Sequence, residues 1–123
     1  MSRCIYYIMN NVDKETIITS DARNHYLDTI SCFNARNFET FFIDAGLAAM
    51  GNGICSTVGF SLAALGKKCI SITGDGCAIM NGNSIYTAKS LNLPIIFIVT
   101  NNSSLGRVRL GQQESKKFFA TKI

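Results

Sequence analysis

The sequence contains few charged residues, one proline and no tryptophan. Charged side chains make up 16% of its 123 residues, whereas 47% are hydrophobic. That balance excludes intrinsic disorder, because the chain has enough apolar surface to form a core. The length suits a single domain over residues 1–123 and excludes two. The net charge of +4 suits a phosphate-bearing small molecule or a nucleic acid, but a scattered excess of this size usually means only a solvated surface.

Cysteine pairs with metal-binding spacing are also missing. The five cysteines form no CxxC motif, which argues against a zinc site or a disulfide framework and favours small buried side chains in a reducing compartment. The first ten residues lack the pattern of a secretory signal. The apolar stretch 41–65 contains Asp44, Asn52 and four glycines, which favours a loop leading into a buried helix over a membrane span. We therefore expect a soluble, cytoplasmic protein.

The first half of the chain alternates helical and strand-like patterns. Apolar spacing predicts a short helix over 3–9, and a β-branched run predicts a buried strand over 16–20. A helical stripe follows from Asp21, an aspartate suited to capping. A second short strand is predicted over 38–43, and a helix rich in small residues over 52–65.

The second half contains a strand–helix–strand unit. A strand over 69–73 is followed by Gly74-Asp75-Gly76, a helix over 83–91, a strand over 95–99 and then Asn101-Asn102. So short a connection predicts a right-handed crossover between parallel strands. Neither strand alternates polar and apolar residues, which predicts that both are covered on both faces. The fold class is therefore α/β.

Two polar residues follow neighbouring strands of this predicted sheet. Asp75 and Asn102 come directly after the two strands, and ligands bind at the carboxyl ends of parallel strands. A carboxylate, an amide oxygen and a backbone carbonyl suit Mg²⁺, which often shares its shell with phosphate. Gly74 and Gly76 let a phosphate approach the backbone. Each motif alone is common in ordinary turns, but together they favour a metal-bridged diphosphate.

These residues resemble the diphosphate motif of thiamine-diphosphate-dependent enzymes, with twenty-four residues between Gly76 and Asn101. Segments 45–53, 92–95 and 102–109 are similar to the acetolactate synthase group of 2-oxoacid decarboxylases and carboligases. The resemblance covers about residues 14–113. It implies the thiamine-diphosphate-binding fold, a doubly wound parallel sheet with helices on both faces, here apparently truncated at the C-terminus.

The resemblance also implies roles for particular residues. Mg²⁺ would be bound by Asp75, the side-chain oxygen of Asn102 and the carbonyl of Ser104. Met50 would hold the cofactor in its bent shape and the Ala48 carbonyl would accept a hydrogen bond from its 4′-amino group, so these two are the catalytic assignments. The implied cofactor-binding set is Asn24, His25, Ala48, Met50, Gly74, Asp75, Gly76, Cys77, Asn102, Ser104 and Gly106. The family often has serine at the position of Cys77.

The implied activity is decarboxylation or carboligation of a 2-oxoacid by thiamine diphosphate and Mg²⁺. It requires a pyrimidine-binding domain or subunit that supplies an activating glutamate, which Glu15, Glu39 and Glu114 do not match. We expect a homo- or hetero-oligomer with the 41–65 stretch as its buried contact, and no nucleic-acid or membrane partner. The alternatives are a non-catalytic remnant or regulatory binding module of the same fold, and an unrelated flavodoxin-like or nucleotide-binding domain. The substrate stays open.

Overall fold

A computed structural model describes residues 2–34, 37–115 and 117–123 of the chain. Within these residues the chain forms four β-strands and six α-helices. The strands are β1 (Ile17–Ser20), β2 (Phe41–Ile43), β3 (Cys69–Gly74) and β4 (Ile95–Thr100). The helices are α1 (Ser2–Asn11), α2 (Asn24–Cys32), α3 (Asn52–Ala63), α4 (Asp75–Asn81), α5 (Asn83–Ser90) and α6 (Gly106–Ser115).

The strands form one parallel sheet in the order β2-β1-β3-β4. Ile18 of β1 is paired with Phe41 on one side and with Ile70 on the other, and Ser71 is paired with Phe97 of β4. The chain moves outward from β1 to β2 and then returns across β1 to β3. The order therefore reverses between β1 and β3, and a crevice for ligands opens at the carboxyl ends of strands at such a point.

Helices cover both faces of the sheet, as predicted for a doubly wound fold. On one face, Ile5 and Met9 of α1 pack with Ile18, Ile70 and Ile72 in a buried apolar cluster. Burying each such side chain stabilises the fold by about 1.5–3 kcal/mol. The helix predicted over 3–9 is confirmed, because its apolar residues four positions apart share the face that meets this cluster.

The other face is covered by α3 and is rich in buried hydroxyl groups. Thr19 of β1 donates a hydrogen bond to the Gly53 carbonyl (3.2 Å) and also pairs with the Thr57 hydroxyl. Ser71 and Thr73 of β3 are completely buried on the same side. The hydrogen bonds of Thr19, and not apolar contact alone, therefore hold α3 on the sheet.

The structure corrects three expectations about the elements. The second strand begins at Phe41 rather than at residue 38, and Phe38 is 93% exposed. The helix predicted from Asp21 begins at Asn24. The strand over 95–99 is not covered on both faces within the described residues, because Ile96 is 59% and Val99 45% exposed. β4 is an edge strand here, so a continuous apolar sequence does not prove burial on both sides.

The structure also bears on the apolar stretch 41–65, which forms β2, a loop and α3 as expected. Among the described residues, no helix has the length and apolar character needed to cross a membrane.

Candidate functional site

A pocket lies at the carboxyl ends of β1, β3 and β4, where the sheet order reverses. Three segments form most of it: residues 23–25, residues 74–77 and residues 100–108. The lining residues are Arg23, Asn24, His25, Met50, Gly74, Asp75, Gly76, Cys77, Thr100, Asn102, Ser104, Leu105, Gly106, Arg107 and Val108. The structure thus brings together all of the sequence-predicted site residues except Ala48.

Asp75 and Asn102 meet in this pocket. Asp75 begins α4, and its carboxylate accepts hydrogen bonds from the backbone N–H groups of Gly76 (2.9 Å) and Asn102 (3.2 Å). The side-chain oxygen of Asn102 accepts a bond from the N–H of Ser104 (3.1 Å). The Ser104 carbonyl in turn accepts one from the N–H of Gly106 (2.9 Å). These bonds bring the Asp75 carboxylate, at the start of α4, to the turn after β4 that contains the Asn102 amide oxygen and the Ser104 carbonyl.

This donor set fits a hard divalent cation. Each oxygen that accepts one hydrogen bond here keeps a second lone pair, so a metal can still be bound. No group of three or more His, Cys, Asp or Glu side chains with metal-binding geometry occurs in the described part of the chain. One carboxylate with neutral oxygens suits Mg²⁺, which takes the rest of its shell from phosphate and water, better than it suits Zn²⁺.

His25 is buried beside Asp75 and has an unsatisfied nitrogen. The side chain is 3% exposed, and a β-carbon at Gly74 would lie 3.1 Å from Cε1 of the ring. Burial lowers the pKa of His25, although the charge of Asp21 opposes this. Nε2 has no hydrogen-bond partner among the described residues. A buried polar atom without a partner is costly, so the pocket offers a hydrogen bond that a ligand can complete.

Apolar side chains crowd around Gly76. A β-carbon there would lie 3.0 Å from Cδ1 of Ile123, 3.1 Å from Cε of Met50 and 3.3 Å from Cδ2 of Leu105. A side chain at this position would require these three side chains to shift, and two of them, Met50 and Leu105, line the pocket. Sequence reasoning missed Leu105 and Ile123, because the packing of residues 121–123 beside residues 103–105 has no local sequence signal.

Cys77 lies deeper, next to the end of β1. Its thiol is 1% exposed and points to the carbonyl of Ala22, with an Sγ to O distance of 3.8 Å. Burial raises the pKa of Cys77, so the thiol stays protonated. A protonated thiol is a much weaker hydrogen-bond donor than a hydroxyl, and it already faces a carbonyl.

Ala48 lies in a neighbouring depression rather than in the pocket itself. That depression is lined by Ala22, Arg23, Tyr26, Leu27, Asp44, Ala45, Ala48 and Arg107. Ala48 has a φ of 51°, a left-handed conformation that favours glycine. The Asp44 carboxylate accepts bonds from the N–H groups of Leu47 and Ala49 (3.2 Å each), and the bond from Ala49 is the largest cause of its lowered pKa. An ionised Asp44 therefore orders the loop that contains Ala48.

Asp21 has a role that differs from the helix cap predicted from the sequence. Its carboxylate does not cap α2. It is 1% exposed and accepts bonds from the N–H of Gly51 (2.9 Å), the N–H of Ala22 (2.9 Å) and the Thr73 hydroxyl (3.2 Å). These bonds join β1, β3 and the start of α3. A signal was available, since Asp21, like Asp75, directly follows a buried strand at the ligand-binding edge of the sheet.

Two arginines border both the pocket and the neighbouring depression. Arg23 precedes α2, and Arg107 is the second residue of α6. From the sequence, Arg107 had no role beyond surface charge, and Arg23 was not singled out. An exposed cation has no sequence signal that distinguishes a ligand-facing position from an ordinary one.

The family model for the thiamine pyrophosphate enzyme, C-terminal TPP binding domain, matches residues 21–122. The chain belongs to the thiamine pyrophosphate enzyme family. The matched span begins directly after β1 and contains every lining residue of the pocket. The predicted resemblance and fold class are therefore confirmed, and the alternative of an unrelated flavodoxin-like or nucleotide-binding domain is wrong.

Individual relatives place the chain near one group of this family. A probable acetolactate synthase large subunit of Methanococcus aeolicus is 34% identical over 98 residues, covering 80% of this chain and 16% of that protein. Acetolactate synthase isozyme 1 large subunit of Escherichia coli K12 is 33% identical over 104 residues, covering 85% and 18%. Acetolactate synthase of Bacillus subtilis 168 is 30% identical over 114 residues, covering 93% and 20%. The chain thus spans at most about a fifth of these thiamine pyrophosphate enzymes.

Proposed function

We propose that this chain binds thiamine diphosphate through Mg²⁺, as the diphosphate-binding part of a 2-oxoacid decarboxylase or carboligase of the acetolactate synthase type. The observation that supports this most directly is the meeting of Asp75 and Asn102 at the point where the sheet order reverses. Membership of the family supports the cofactor, and the oxygen donor set supports the metal.

In this proposal the oxygens of Asp75, Asn102 and Ser104 would hold Mg²⁺, which would offset the negative charge of the diphosphate. Gly76 would leave room for phosphoryl oxygens, and the unsatisfied Nε2 of His25 would complete a hydrogen bond with the ligand. The ring already donates one N–H to the backbone of Asp21, so Nε2 would donate to a phosphoryl oxygen from the imidazolium form, which the negative charge of a diphosphate favours. Asn24, Gly74, Cys77 and Gly106 complete the surface around the diphosphate.

The 44–51 loop would hold the other end of the cofactor. Met50, whose Cε lies close to Gly76, would support the bent cofactor, and the Ala48 carbonyl would accept a bond from the aminopyrimidine. When bound, thiamine diphosphate supplies the carbanion chemistry that releases CO₂ from a 2-oxoacid. The residues of this chain hold it in position and exclude water. The hydrogen bonds of Asp21 and Asp44 fix the loop from its two ends.

Turnover requires a group that the pocket does not contain. No glutamate lines the pocket in the described part of the chain, and the exposed Glu15 is paired with Lys67 (3.3 Å). We propose that a pyrimidine-binding domain or subunit supplies the activating glutamate in a homo- or hetero-oligomer located in the cytoplasm, without nucleic-acid or membrane partners. The missing glutamate equally favours a second candidate, a regulatory binding module of this fold without turnover.

The test is calorimetric titration of the full chain with thiamine diphosphate in Mg²⁺. We expect Asp75→Ala to weaken binding by at least about 100-fold, beyond the 10–100-fold typical of residues that only orient a ligand. Asp13→Ala is the matched control, since Asp13 precedes β1 and so lies at the amino ends of the strands, opposite the pocket. Equal affinity of wild type and Asp75→Ala would refute the proposed metal site. Mixing with a glutamate-bearing partner domain and assaying CO₂ release separates the enzyme from the regulatory module.

A further inference from the structure

The pocket is lined by more cationic than anionic side chains. Arg23 and Arg107 both line it, whereas Asp75 is the one carboxylate among its lining residues. Neither guanidinium has an ion-pair partner within residues 2–34, 37–115 and 117–123. Asp44 faces the neighbouring depression, but backbone N–H groups of its own loop already bind its carboxylate.

Both arginines also stand where a helix disfavours a cation. Arg23 occupies the N-cap position of α2 and Arg107 the second position of α6, and neither helix has an acidic residue in its first turn. A helix N-terminus has a partial positive charge, so a cation there is destabilised unless an anion lies beside it. Two cations at two such ends of one pocket therefore indicate an anionic ligand.

The two helix starts are in direct contact. A β-carbon at Gly106, the first residue of α6, would collide with the side-chain amide of Asn24, the first residue of α2. The N-terminal ends of α2 and α6 therefore converge on the same space. The buried, unpartnered Nε2 of His25 lies in the same pocket and is an independent sign that a ligand completes it.

The backbone of Arg23 adds to this argument. Its φ of 105° and ψ of −150° lie in a region that glycine occupies readily and other residues rarely do. The chain therefore places a cation at this pocket at a cost in backbone strain.

We propose that Arg23 and Arg107 form a metal-independent subsite for the phosphoryl oxygens of a diphosphate. The inference rests on the proposed function in taking the diphosphate as the ligand, but it assigns part of the affinity to the arginines rather than to Mg²⁺. Each guanidinium donates charge-assisted hydrogen bonds to phosphoryl oxygens. The chain then binds diphosphate without any divalent cation, and Mg²⁺ at Asp75 adds to that affinity.

The probe is inorganic diphosphate, titrated calorimetrically into the full chain in EDTA and again in Mg²⁺. In EDTA we expect wild type to bind, and Arg23→Gln and Arg107→Gln each to bind about 10- to 100-fold more weakly, as for loss of hydrogen bonds to a charged group. The matched control is Arg109→Gln, which removes a cation of the same helix that lies over the Phe118 ring (5.9 Å) and outside the pocket.

Asp75→Asn should change the affinity for diphosphate in opposite directions with and without metal. In EDTA the carboxylate repels the diphosphate, so its removal should tighten binding. In Mg²⁺ the same change should weaken binding. The proposed subsite is overturned if wild type does not bind diphosphate in EDTA. It is also overturned if Arg109→Gln loses as much affinity as Arg23→Gln and Arg107→Gln.

Thiamine diphosphate separates this outcome from failure of the proposed function. If it binds in Mg²⁺ while inorganic diphosphate fails to bind in EDTA, the subsite is wrong and the proposed function stands. If arginine-dependent binding in EDTA persists while thiamine diphosphate fails to bind in Mg²⁺, the subsite stands and the proposed function is wrong.

Discussion

Replacing Arg23 by glycine should stabilise the fold while weakening diphosphate binding. The φ of 105° at Arg23 places a non-glycine residue in a strained region, at a cost of about 1–3 kcal/mol. Glycine relieves that strain but increases the entropy of the unfolded chain, which costs about 0.5–1 kcal/mol. From the middle of the two ranges, the expected net gain in the free energy of unfolding is about 1 kcal/mol. For a chain of this length it raises Tm by about 2–8 °C.

The measurement is urea denaturation with calorimetric Tm on the full chain. Arg23→Ala is the control, because alanine removes the guanidinium but keeps a β-carbon in the strained region, so it should give little of the gain. A rise in the denaturation midpoint with an unchanged slope identifies a change in stability alone. Equal or lower stability of Arg23→Gly relative to Arg23→Ala would refute the assignment of strain to this residue.

Three further predictions concern the framework of the site. Asp21→Ala leaves three hydrogen-bond donors without their acceptor, and at about 1–3 kcal/mol for each buried group it should unfold much of the population, as circular dichroism would show. Gly53→Ala should lower the free energy of unfolding by about 1–3 kcal/mol, because its β-carbon would lie 2.8 Å from the Asp21 nitrogen. By contrast, the β-carbon of Gly59→Ala in the same helix would meet open space, so this change should raise the free energy of unfolding by about 0.5–1 kcal/mol. Urea titrations that give the two variants equal stability would contradict this packing. A thiol reagent should modify the exposed Cys55 rapidly and Cys77 only on unfolding, since Cys77 is buried and burial raises its pKa. Mass spectrometry of partly labelled protein measures the order, and modification of Cys77 before Cys55 would contradict this packing.

The sheet could be predicted largely from local patterns. Runs of β-branched residues indicate β1, β3 and β4, and the short connection between the last two fixes their parallel direction. Helices α4 and α6 were not predicted. The first has seven residues and begins with the Asp75-Gly76 pair, and the second has no buried residue, so neither shows a clear apolar periodicity. The exposure of Ile96 shows a different limit, because which face is covered depends on neighbouring elements rather than on the strand itself.

Site residues could be predicted where a polar residue directly follows a predicted parallel strand. Asp75 and Asn102 follow strands, so their meeting required only the parallel arrangement. Asp21 follows a strand too, but a plausible local role as a helix cap competed with the tertiary one and was wrong. Arg23 could not be singled out, because its significance depends on a backbone angle and on a helix start that is distant in sequence.

The hydroxyl groups beneath α3 have a consequence for the accuracy of the site. Apolar surfaces can slide past each other at little cost, whereas Thr19 bonds one particular carbonyl, that of Gly53. A shift of the helix by a single residue would break that bond and the pairing with Thr57. Buried polar atoms would then be left without hydrogen-bond partners. These buried hydrogen bonds therefore fix the position of α3 along its own axis. Because Met50 lies just before α3, they also fix the position of Met50 relative to Gly76, although Thr19 and Thr57 do not line the pocket.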